Sequence, residues 1–302
     1  MARVNRLIEL LAQGQPTFGA RVPDLTHDAG VSAARTPYDY LIVEFEHEPF
    51  DIGALRAFMR GLVDGGPTRS GHRTPPVVVT LPTTGSSADV VRANAWQLAH
   101  VLAAGVHGII LCHAEEAGAA RALVSHARYP LNTPGADAAT VGRRGGGGQG
   151  HAAGIWGLPA DEYLAKADPW PLNPAGELLL AVKIENTRGL ANCPAILAVP
   201  GIGMAEWGPG DMGMALAPRY FRAGYAPDPD FAHDPPYGAA MEASRRLVCD
   251  ACHANGVAFY STMRPADWRA LYALGVRSSS VTADTDGFID ALRRLAGRTM
   301  PW

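Results

Sequence analysis

Two carboxylates follow apolar runs in the second half of the chain. Glu185 comes directly after the apolar run 178–184, and Asp211 follows the next apolar run through a short turn. Where strands and helices alternate, the carboxyl ends of the strands meet at one rim, so both acids are expected at that rim. Carboxylate oxygens are preferred ligands of hard divalent cations. The pair therefore predicts a metal site, with ordinary solvated loop acids as the alternative.

A histidine and a carboxylate close an earlier apolar run. His47 follows Glu44 by three residues in a Glu-Phe-Glu-His sequence. A nearby carboxylate can fix the tautomer and the orientation of an imidazole, which then serves as a general base. The sequence therefore predicts that His47, supported by Glu44, transfers a proton. A surface histidine among charged neighbours is the alternative.

A glycine-rich segment at 141–150 holds two arginines, Arg143 and Arg144. Such a loop could cradle a phosphate through its backbone N–H groups. However, neither a Gly-Lys-Ser/Thr sequence nor a dinucleotide-type glycine pattern after a strand accompanies it. We therefore interpret the segment as a mobile lid or substrate loop in which Arg143 and Arg144 contact an anion.

Apolar runs recur along the chain, and helix-like segments follow most of them. The eight strand-like runs are 17–21, 40–44, 77–81, 108–112, 178–184, 202–207, 257–260 and 276–281. Alternating strands and helices indicate a parallel sheet joined by right-handed crossovers. Eight such units in 302 residues fit a (β/α)8 barrel better than an open sheet.

We expect one barrel domain spanning residues 1–302, interrupted by two segments that do not fit the repeating pattern. A glycine-rich excursion covers about 132–156, and an excursion rich in Pro and Asp covers about 219–236. Loops that follow barrel strands line the catalytic face of such a fold. Because each excursion would follow a strand, both are expected on or near that face.

The composition is that of a globular enzyme with a large core. Of the 302 residues, 47% are hydrophobic and 18% are charged, and the formal net charge is −3. This balance argues against a nucleic acid or a membrane surface as partner. Four cysteines are too few for a disulfide framework. Residues 1–15 predict a short amphipathic helix rather than a cleaved signal, so a cytoplasmic location is expected.

Taken together, these segments resemble the HpcH/HpaI aldolase family, whose relatives include the citrate lyase β chain and macrophomate synthase. The similarity is strongest in an Ile-Glu block at 182–190, a Val-Pro-Gly-Ile turn within 196–203 and a Gly-Pro-Gly-Asp sequence at 208–211. It extends from about residue 40 to the end of the chain.

The resemblance implies a TIM-type (β/α)8 barrel of the phosphoenolpyruvate/pyruvate superfamily, assembled as a homo-oligomer (a hexamer, or a trimer or dimer). It implies a divalent metal, Mg²⁺ or Mn²⁺, bound by Glu185 and Asp211. The implied reaction is reversible aldol cleavage of a hydroxylated 2-oxo acid, or a related carbonyl compound, through a metal-stabilised enolate. In that reaction, His47 with Glu44 would handle the proton of the cleaved hydroxyl.

Two positions depart from the family pattern. Thr80 stands where relatives carry an arginine that contacts the oxo group of the substrate, and it offers only a neutral hydrogen bond. Lys183 stands where relatives often carry glutamine, and strand alternation places it beside Glu185 in the barrel. Since a lone buried ammonium is costly, we expect it to pair with Glu206 on the next strand. Lys183 could replace the lost charge, or the pair could be purely structural.

Further substrate contacts are expected around the same rim. His113 closes the fourth apolar run and could hydrogen-bond the substrate, support the metal or be an ordinary rim histidine. Gly208 and Pro209 form the turn before Asp211 and are expected beside the substrate. The implied partner is a small-molecule oxo acid or aldehyde.

Two alternative functions stay open at this point. Lys183 could form a Schiff base with a carbonyl substrate, as a desolvated lysine can. Otherwise the chain could be a catalytically weak relative that binds an oxo acid or a metal without turnover. Borohydride trapping would detect the Schiff base, and metal binding without turnover would indicate the weak relative.

Overall fold

The computed structural model describes residues 3–216, 235–281 and 287–302 of the chain, with side chains left out at 235–237. Of the expected excursion rich in Pro and Asp, residues 219–234 lie outside the described residues. Within the described ranges, strands and helices alternate along the chain as the apolar pattern predicts.

Parallel strands form a sheet that closes on itself. The strands are β1 (Thr17–Arg21), β2 (Tyr40–Glu44), β3 (Val77–Thr84), β4 (Gly108–Cys112), β5 (Pro169–Trp170), β6 (Leu178–Ile184), β7 (Met204–Trp207), β8 (Ala258–Tyr260) and β9 (Val276–Val281). They are hydrogen-bonded in the order β4-β3-β2-β1-β9-β8-β7-β6-β5, and a further pairing joins β4 to β6. Eight strands thus close a barrel, with the two-residue β5 beside β6. The predicted (β/α)8 barrel is confirmed.

Helices pack around the barrel, and one helix closes its amino end. The described helices are α1 (Arg6–Ala12), α2 (His27–Ala33), α3 (Ile52–Asp64), α4 (Ala88–Ala93), α5 (Ala95–Ala103), α6 (Ala117–Ala127), α7 (Gln149–Trp156), α8 (Ala160–Lys166), α9 (Thr187–Leu197), α10 (Pro209–Leu216), α11 (Pro235–Asn255), α12 (Trp268–Leu274) and α13 (Phe288–Leu295). Among them, no helix combines the length and the apolar character needed to cross a membrane.

Strand register determines which side chains share the barrel interior. Glu44 lies directly opposite Thr80, and Lys183 lies directly opposite Glu206, in the parallel ladders. Because side chains alternate along a strand, Glu44 shares a face with Tyr40, and Lys183 shares one with Leu179. The interior cluster of buried residues is Leu7, Ile8, Tyr40, Ile42, Val78, Ile110, Leu179, Ala181, Met204 and Tyr260. The barrel is therefore apolar towards its amino end and charged towards its carboxyl end.

Helix α1 closes the amino end of the barrel. The Asn5 side chain accepts hydrogen bonds from the backbone N–H groups of Leu7 and Ile8, which caps the helix. The Asn5 amide also donates to the backbone oxygen of His107, which precedes β4. The side chains of Leu7 and Ile8 are fully buried in the interior cluster. Because this end is filled, a site inside the barrel is reached from the carboxyl end.

The glycine-rich segment also lies at the amino end of the barrel. Trp156 Nε1 donates to the backbone oxygen of Gly105, just before β4, at 2.9 Å. Arg73 Nε, shortly before β3, donates to the backbone oxygen of Ile155 at 3.0 Å. The expectation that this segment lines the catalytic face is therefore wrong. It follows α6 rather than β4, and that helix has already carried the chain back to the amino end.

Candidate active site

Charged side chains gather at the carboxyl end of the barrel. The groups at the strand ends and just beyond them are Arg21, Glu44, Glu46, Lys183, Glu185, Glu206 and Asp211. Among these described groups, five are carboxylates and two are cations. Like charges brought together in a poorly solvated site repel strongly. We call this group of residues the mouth, and its surplus of negative charge favours a bound cation.

Four residues of this end lie close enough to share one ion. Single ligand atoms of Glu46, His113, Glu185 and Asp211 all lie within 4.8 Å of one another. Glu46 and His113 come from the loops after β2 and β4, Glu185 directly follows β6, and Asp211 lies in the first turn of α10. The structure thus brings together Glu185 and Asp211, and adds Glu46 and His113 to them. We call these four residues the rim cluster.

Glu185 is the deepest carboxylate of the rim cluster, with 2% of its side chain exposed. Its Oε1 accepts a hydrogen bond from the His113 backbone N–H at 2.7 Å. Lys183 Nζ lies 3.9 Å from its Oε2. Burial raises the pKa of Glu185 to about 8, because desolvation outweighs the opposing charge of Lys183. The carboxyl group therefore keeps its proton near neutral pH unless a further cation binds.

The turn before α10 positions both acids of the predicted pair. A Cβ atom at Gly208 would lie 2.5 Å from Glu185 Oε2, so glycine is needed for this close approach. Pro209 is the first residue of α10, a position where the missing backbone N–H is tolerated. Asp211 follows in the first helical turn, where the helix dipole favours negative charge. Gly208 and Pro209, expected as substrate contacts, thus shape the rim cluster.

Lys183 has a different partner from the one expected. Its Nζ contacts Glu46 Oε2, whereas Glu206 is its neighbour in the β6–β7 ladder. Burial disfavours the ammonium, but the surrounding carboxylates, Glu206 first among them, raise the pKa of Lys183 above its ordinary value. Burial likewise raises the pKa of Glu206 to about 7. The expected Lys183–Glu206 contact is corrected, because Glu46 reaches Lys183 from beyond the end of β2.

His47 is not oriented by Glu44. Its side chain is 65% exposed, and its Nε2 lies 3.7 Å from Glu46 Oε2. Glu44 instead accepts a hydrogen bond from the Thr80 hydroxyl and lies 3.3 Å from Arg21 Nη1. The predicted pairing of His47 with Glu44 is therefore wrong. Strand alternation places Glu44 inside the barrel, whereas His47 lies beyond the strand, where that alternation no longer determines its direction.

The Thr80 hydroxyl is occupied within the protein. It donates its only hydrogen to Glu44 Oε1 and accepts a hydrogen bond from the Phe45 backbone N–H at 3.0 Å. The side chain is also buried. Thr80 thus holds Glu44 and the end of β2 in place, and its expected hydrogen bond to a substrate has no free donor.

Arg143 and Arg144 are not brought to the rim cluster. The Arg144 guanidinium lies 4.4 Å from the ring centroid of Tyr129 and donates to Tyr163 Oη at 3.0 Å. Arg143 is exposed, and its backbone N–H donates to Ser125 near the end of α6. Since both belong to the glycine-rich segment at the amino end, the anion contacts expected of them are corrected.

Two members of the mouth, Glu46 and Arg21, were not predicted from the sequence. Glu46 lies two residues after Glu44, just beyond the end of β2. Arg21 ends β1, and 63% of its side chain is exposed. The signal for both was the shared strand-end position that had identified Glu185.

The donor set of the rim cluster fits a divalent cation. Glu46 Oε1 is buried and has no hydrogen-bond partner among the described residues, and only 6% of the Glu46 side chain is exposed. A buried carboxylate oxygen without a partner is costly. A cation would satisfy it, and carboxylates and imidazole are both common metal ligands.

The fold is a parallel (β/α)8 barrel similar to that of solved HpcH/HpaI aldolases. The solved structure of a HpcH/HpaI aldolase/citrate lyase family protein from Burkholderia cenocepacia J2315 has this fold, with a TM-score of 0.67. The match covers 97% of this chain and 98% of that chain at 23% sequence identity. A scan against family models finds no match.

Two curated relatives extend this likeness to the sequence. A hydroxypyruvate/pyruvate aldolase of Pseudomonas aeruginosa is 27% identical over 295 residues, which cover 98% of this chain and 92% of that protein. A 2-keto-3-deoxy-L-rhamnonate aldolase of Klebsiella pneumoniae subsp. pneumoniae is 28% identical over 287 residues, which cover 95% and 90% respectively. The comparisons confirm the resemblance to the HpcH/HpaI aldolase family and the predicted enzyme class, a carbon–carbon lyase.

Proposed function

We propose that this protein is a divalent-metal-dependent lyase that cleaves a hydroxylated 2-oxo acid into a smaller oxo acid and an aldehyde, and that also catalyses the reverse addition. The observation that carries the proposal is the rim cluster, which gathers four metal-ligand side chains at the open end of the barrel. The names of the aldolase relatives support the substrate class.

Glu185 and Asp211 are the residues that would hold the metal, with Mg²⁺ or Mn²⁺ as the candidate ions. When bound, the ion supplies a Lewis acid that stabilises negative charge developing on the oxo oxygen of the substrate. Gly208 keeps the turn before Asp211 against Glu185, so the two acids stay close. The positive charge also allows Glu185 to lose the proton that its burial favours.

His47 is the candidate base for the hydroxyl at the bond to be cleaved. As it takes the hydroxyl proton, the oxygen forms the aldehyde carbonyl and the carbon–carbon bond breaks. The electron pair of that bond enters the enolate of the departing oxo acid, which then takes up a proton at carbon. Glu46 Oε2, 3.7 Å from His47 Nε2, supports the charged imidazole. The exposure of His47 allows the proton to exchange with solvent.

Arg21 is the candidate contact for the substrate carboxylate, whereas the arginine that Thr80 replaces is expected to contact the oxo group. Its guanidinium is largely exposed and pairs with Glu44. Both residues line a cavity of about 430 Å³ beside the ends of β1 and β2. Guanidinium groups bind carboxylates through two parallel hydrogen bonds. Lys183, enclosed by carboxylates, adds positive charge deeper in the mouth.

The test is the release of an oxo acid from a panel of 4-hydroxy-2-oxo acids, with chelator or with added Mn²⁺. We expect wild-type cleavage to require the metal and Asp211→Asn to lose at least about 100-fold of the rate, because it lacks a proposed ligand. Thr80→Arg tests the substrate class. Turnover that survives chelation, or activity found only in Thr80→Arg, would contradict the proposal.

The surroundings of Lys183 speak against a Schiff-base mechanism. Its Nζ contacts Glu46, and neighbouring carboxylates raise the pKa of Lys183. A protonated amine has no lone pair with which to attack a carbonyl. Borohydride reduction in the presence of substrate should therefore give no adduct at Lys183 by mass spectrometry, and a trapped adduct would favour the Schiff base.

The assembly and the location belong to the same proposal. We expect a homo-oligomer of single-domain barrels in the cytoplasm, as the family resemblance implies. Light scattering of the purified protein measures the number of subunits, and a monomer at every concentration would contradict this part of the proposal.

A further inference from the structure

His113 has an unusual backbone conformation. Its φ is +48°, and among the described residues it is the only one other than glycine with a positive φ. Residues other than glycine rarely adopt this region, and asparagine, aspartate and histidine are the more frequent exceptions. Strain of this kind persists where the surrounding structure enforces it, and it clusters at ligand and active sites. His113 follows β4 directly and belongs to the rim cluster.

The imidazole of His113 faces two carboxylates at once. Its Nε2 lies 3.6 Å from Glu46 Oε1, and its Nδ1 lies 3.7 Å from Glu185 Oε1. The Oε2 atoms of the same two carboxylates face Lys183. Each carboxylate thus directs one oxygen to the ammonium and the other to the imidazole. Of these oxygens, Glu46 Oε1 is buried without a hydrogen-bond partner among the described residues.

These separations suit ligands arranged around an ion. Adjacent ligand atoms of an octahedral ion with bonds of about 2.1 Å lie about 3.0 Å apart. The two distances from the His113 ring, 3.6 and 3.7 Å, are somewhat longer than that and too long for hydrogen bonds. Because the two distances involve different ring nitrogens, a shift of the ring that brings one nitrogen closer to the carboxylates would place the imidazole among the ligands of an ion.

We propose that His113 is a ligand of the ion held by Glu185 and Asp211, and that it gives the site a preference for transition ions such as Co²⁺ over Mg²⁺. Imidazole nitrogen binds borderline transition ions well, whereas Mg²⁺ favours oxygen ligands. His113 supplies the only nitrogen donor of the rim cluster as described. The inference rests on the metal-dependent function proposed above and deepens it.

Calorimetric titration of the metal-free protein with CoCl₂ and with MgCl₂ tests the inference in wild type and His113→Asn. Asparagine tolerates a positive φ and keeps the backbone N–H that donates to Glu185. We expect the Co²⁺ affinity to fall at least about tenfold and the Mg²⁺ affinity less than about threefold. An unchanged ratio of the two affinities would overturn the inference.

The visible absorption of bound Co²⁺ gives a readout that reports on ligands directly. Loss of a nitrogen ligand in His113→Asn should shift its bands. The matched control is His100→Asn, which removes an exposed histidine from α5 and should change neither the affinities nor the spectrum. Equal effects of the two variants would show adventitious surface binding and overturn the inference.

The variant His113→Gly distinguishes the effect of the positive φ on stability from the effect of the imidazole on metal binding. Glycine relieves the positive φ, so the metal-free variant should melt at a higher temperature than wild type while losing the preference for Co²⁺. A retained preference in this variant would contradict the assigned role.

Variants of the acids distinguish this inference from the function on which it rests. If Glu185→Gln and Asp211→Asn abolish metal binding while His113→Asn keeps the wild-type selectivity, only the role of His113 is overturned. If both acid variants still bind Co²⁺ and Mg²⁺ as the wild type does, the proposed metal site itself is overturned.

Discussion

The contact between Gly208 and Glu185 determines where the deepest carboxylate of the site lies. In Gly208→Ala, the new Cβ would meet Glu185 Oε2 at 2.5 Å and Glu185 Cβ at 2.8 Å. We expect Mn²⁺ affinity to fall at least about tenfold because a ligand is displaced, and stability to fall by about 1–3 kcal/mol. Calorimetry and urea denaturation measure the two effects.

Gly210→Ala is the matched control for this prediction. An added Cβ at Gly210 meets nothing within 4 Å, although the residue lies only two positions after Gly208, in the first turn of α10. The variant should therefore bind Mn²⁺ as the wild type does. Equal losses in Gly208→Ala and Gly210→Ala would contradict the role assigned to the close approach.

The hydroxyl of Thr80 gives a second test at the scale of single residues. Thr80→Val keeps the shape of the side chain but leaves the Phe45 N–H and the Glu44 carboxylate without this partner. We expect a loss of about 1–3 kcal/mol in the free energy of unfolding. In contrast, Thr83 on the same strand has a buried hydroxyl without a hydrogen-bond partner among the described residues.

Thr83→Val should accordingly leave stability unchanged or raise it, because it removes an unsatisfied polar atom. Urea denaturation of the two valine variants provides the comparison. If Thr83→Val were as destabilising as Thr80→Val, the missing hydrogen bonds would not explain the loss of stability in Thr80→Val.

Single residues also show how far the sequence could predict the site. Glu185 and Asp211 were predicted together because both follow apolar strands, and parallel strands end at one rim. The partner of Lys183 was not predicted, because Glu46 lies beyond the end of β2, where strand alternation no longer determines the direction of a side chain. The positive φ of His113 leaves no mark in the sequence, since only a small fraction of histidines adopt this conformation, although more than of most residue types.

Fully buried elements were predicted well from the sequence. Elements whose conformation depends on packing against neighbours were predicted poorly. The barrel strands followed from their apolar runs, since strands covered on both faces are nearly continuously hydrophobic. Helix α7 was not expected, because its sequence contains glycine and its residues Ala152 to Trp156 are helical by packing against neighbours. The glycine-rich segment was placed at the wrong end because it was expected to follow a strand directly, whereas α6 lies between β4 and this segment.

Helix α1 offers a test at the level of a single element, since it closes the amino end of the barrel. Leu7 is fully buried in the interior cluster, whereas Leu11, one turn later, is only partly buried beside it. We expect Leu7→Ala to cost about 2–5 kcal/mol in the free energy of unfolding, and Leu11→Ala distinctly less. Chemical denaturation measures both losses. Equally small losses of stability in the two variants would contradict the role of Leu7 in closing the barrel.

Across the whole molecule, the two ends of the barrel differ in the side chains that fill them. The carboxyl end gathers a surplus of carboxylates that favours a cation, while Leu7 and Ile8 of α1 fill the barrel interior at the amino end. His107 belongs to that closed end, where its ring stacks on Trp156 at 5.5 Å between centroids. Burial lowers the pKa of His107 from 6.5 to about 3.

This shift predicts the response of stability to acid. The unfolded chain protonates His107 near pH 6.5, whereas the folded chain keeps it neutral down to about pH 3. Its contribution is therefore complete above pH 6.5 and is lost at about 1.4 kcal/mol per pH unit as the pH falls towards 3. Urea denaturation from pH 4 to 7 should show a shallower pH dependence in His107→Asn. Parallel curves for the variant and the wild type would contradict the neutral, buried state.

We expect the rim cluster to form the enolate of an oxo acid with the help of a divalent metal. Deuterium exchange into the methyl group of pyruvate, followed by mass spectrometry in D₂O, tests it without knowledge of the aldehyde. We predict exchange above the buffer rate in Mn²⁺-loaded wild type, and its loss both with chelator and in Asp211→Asn. Exchange that continues at the same rate with chelator, or no exchange in the metal-loaded wild type, would contradict the account.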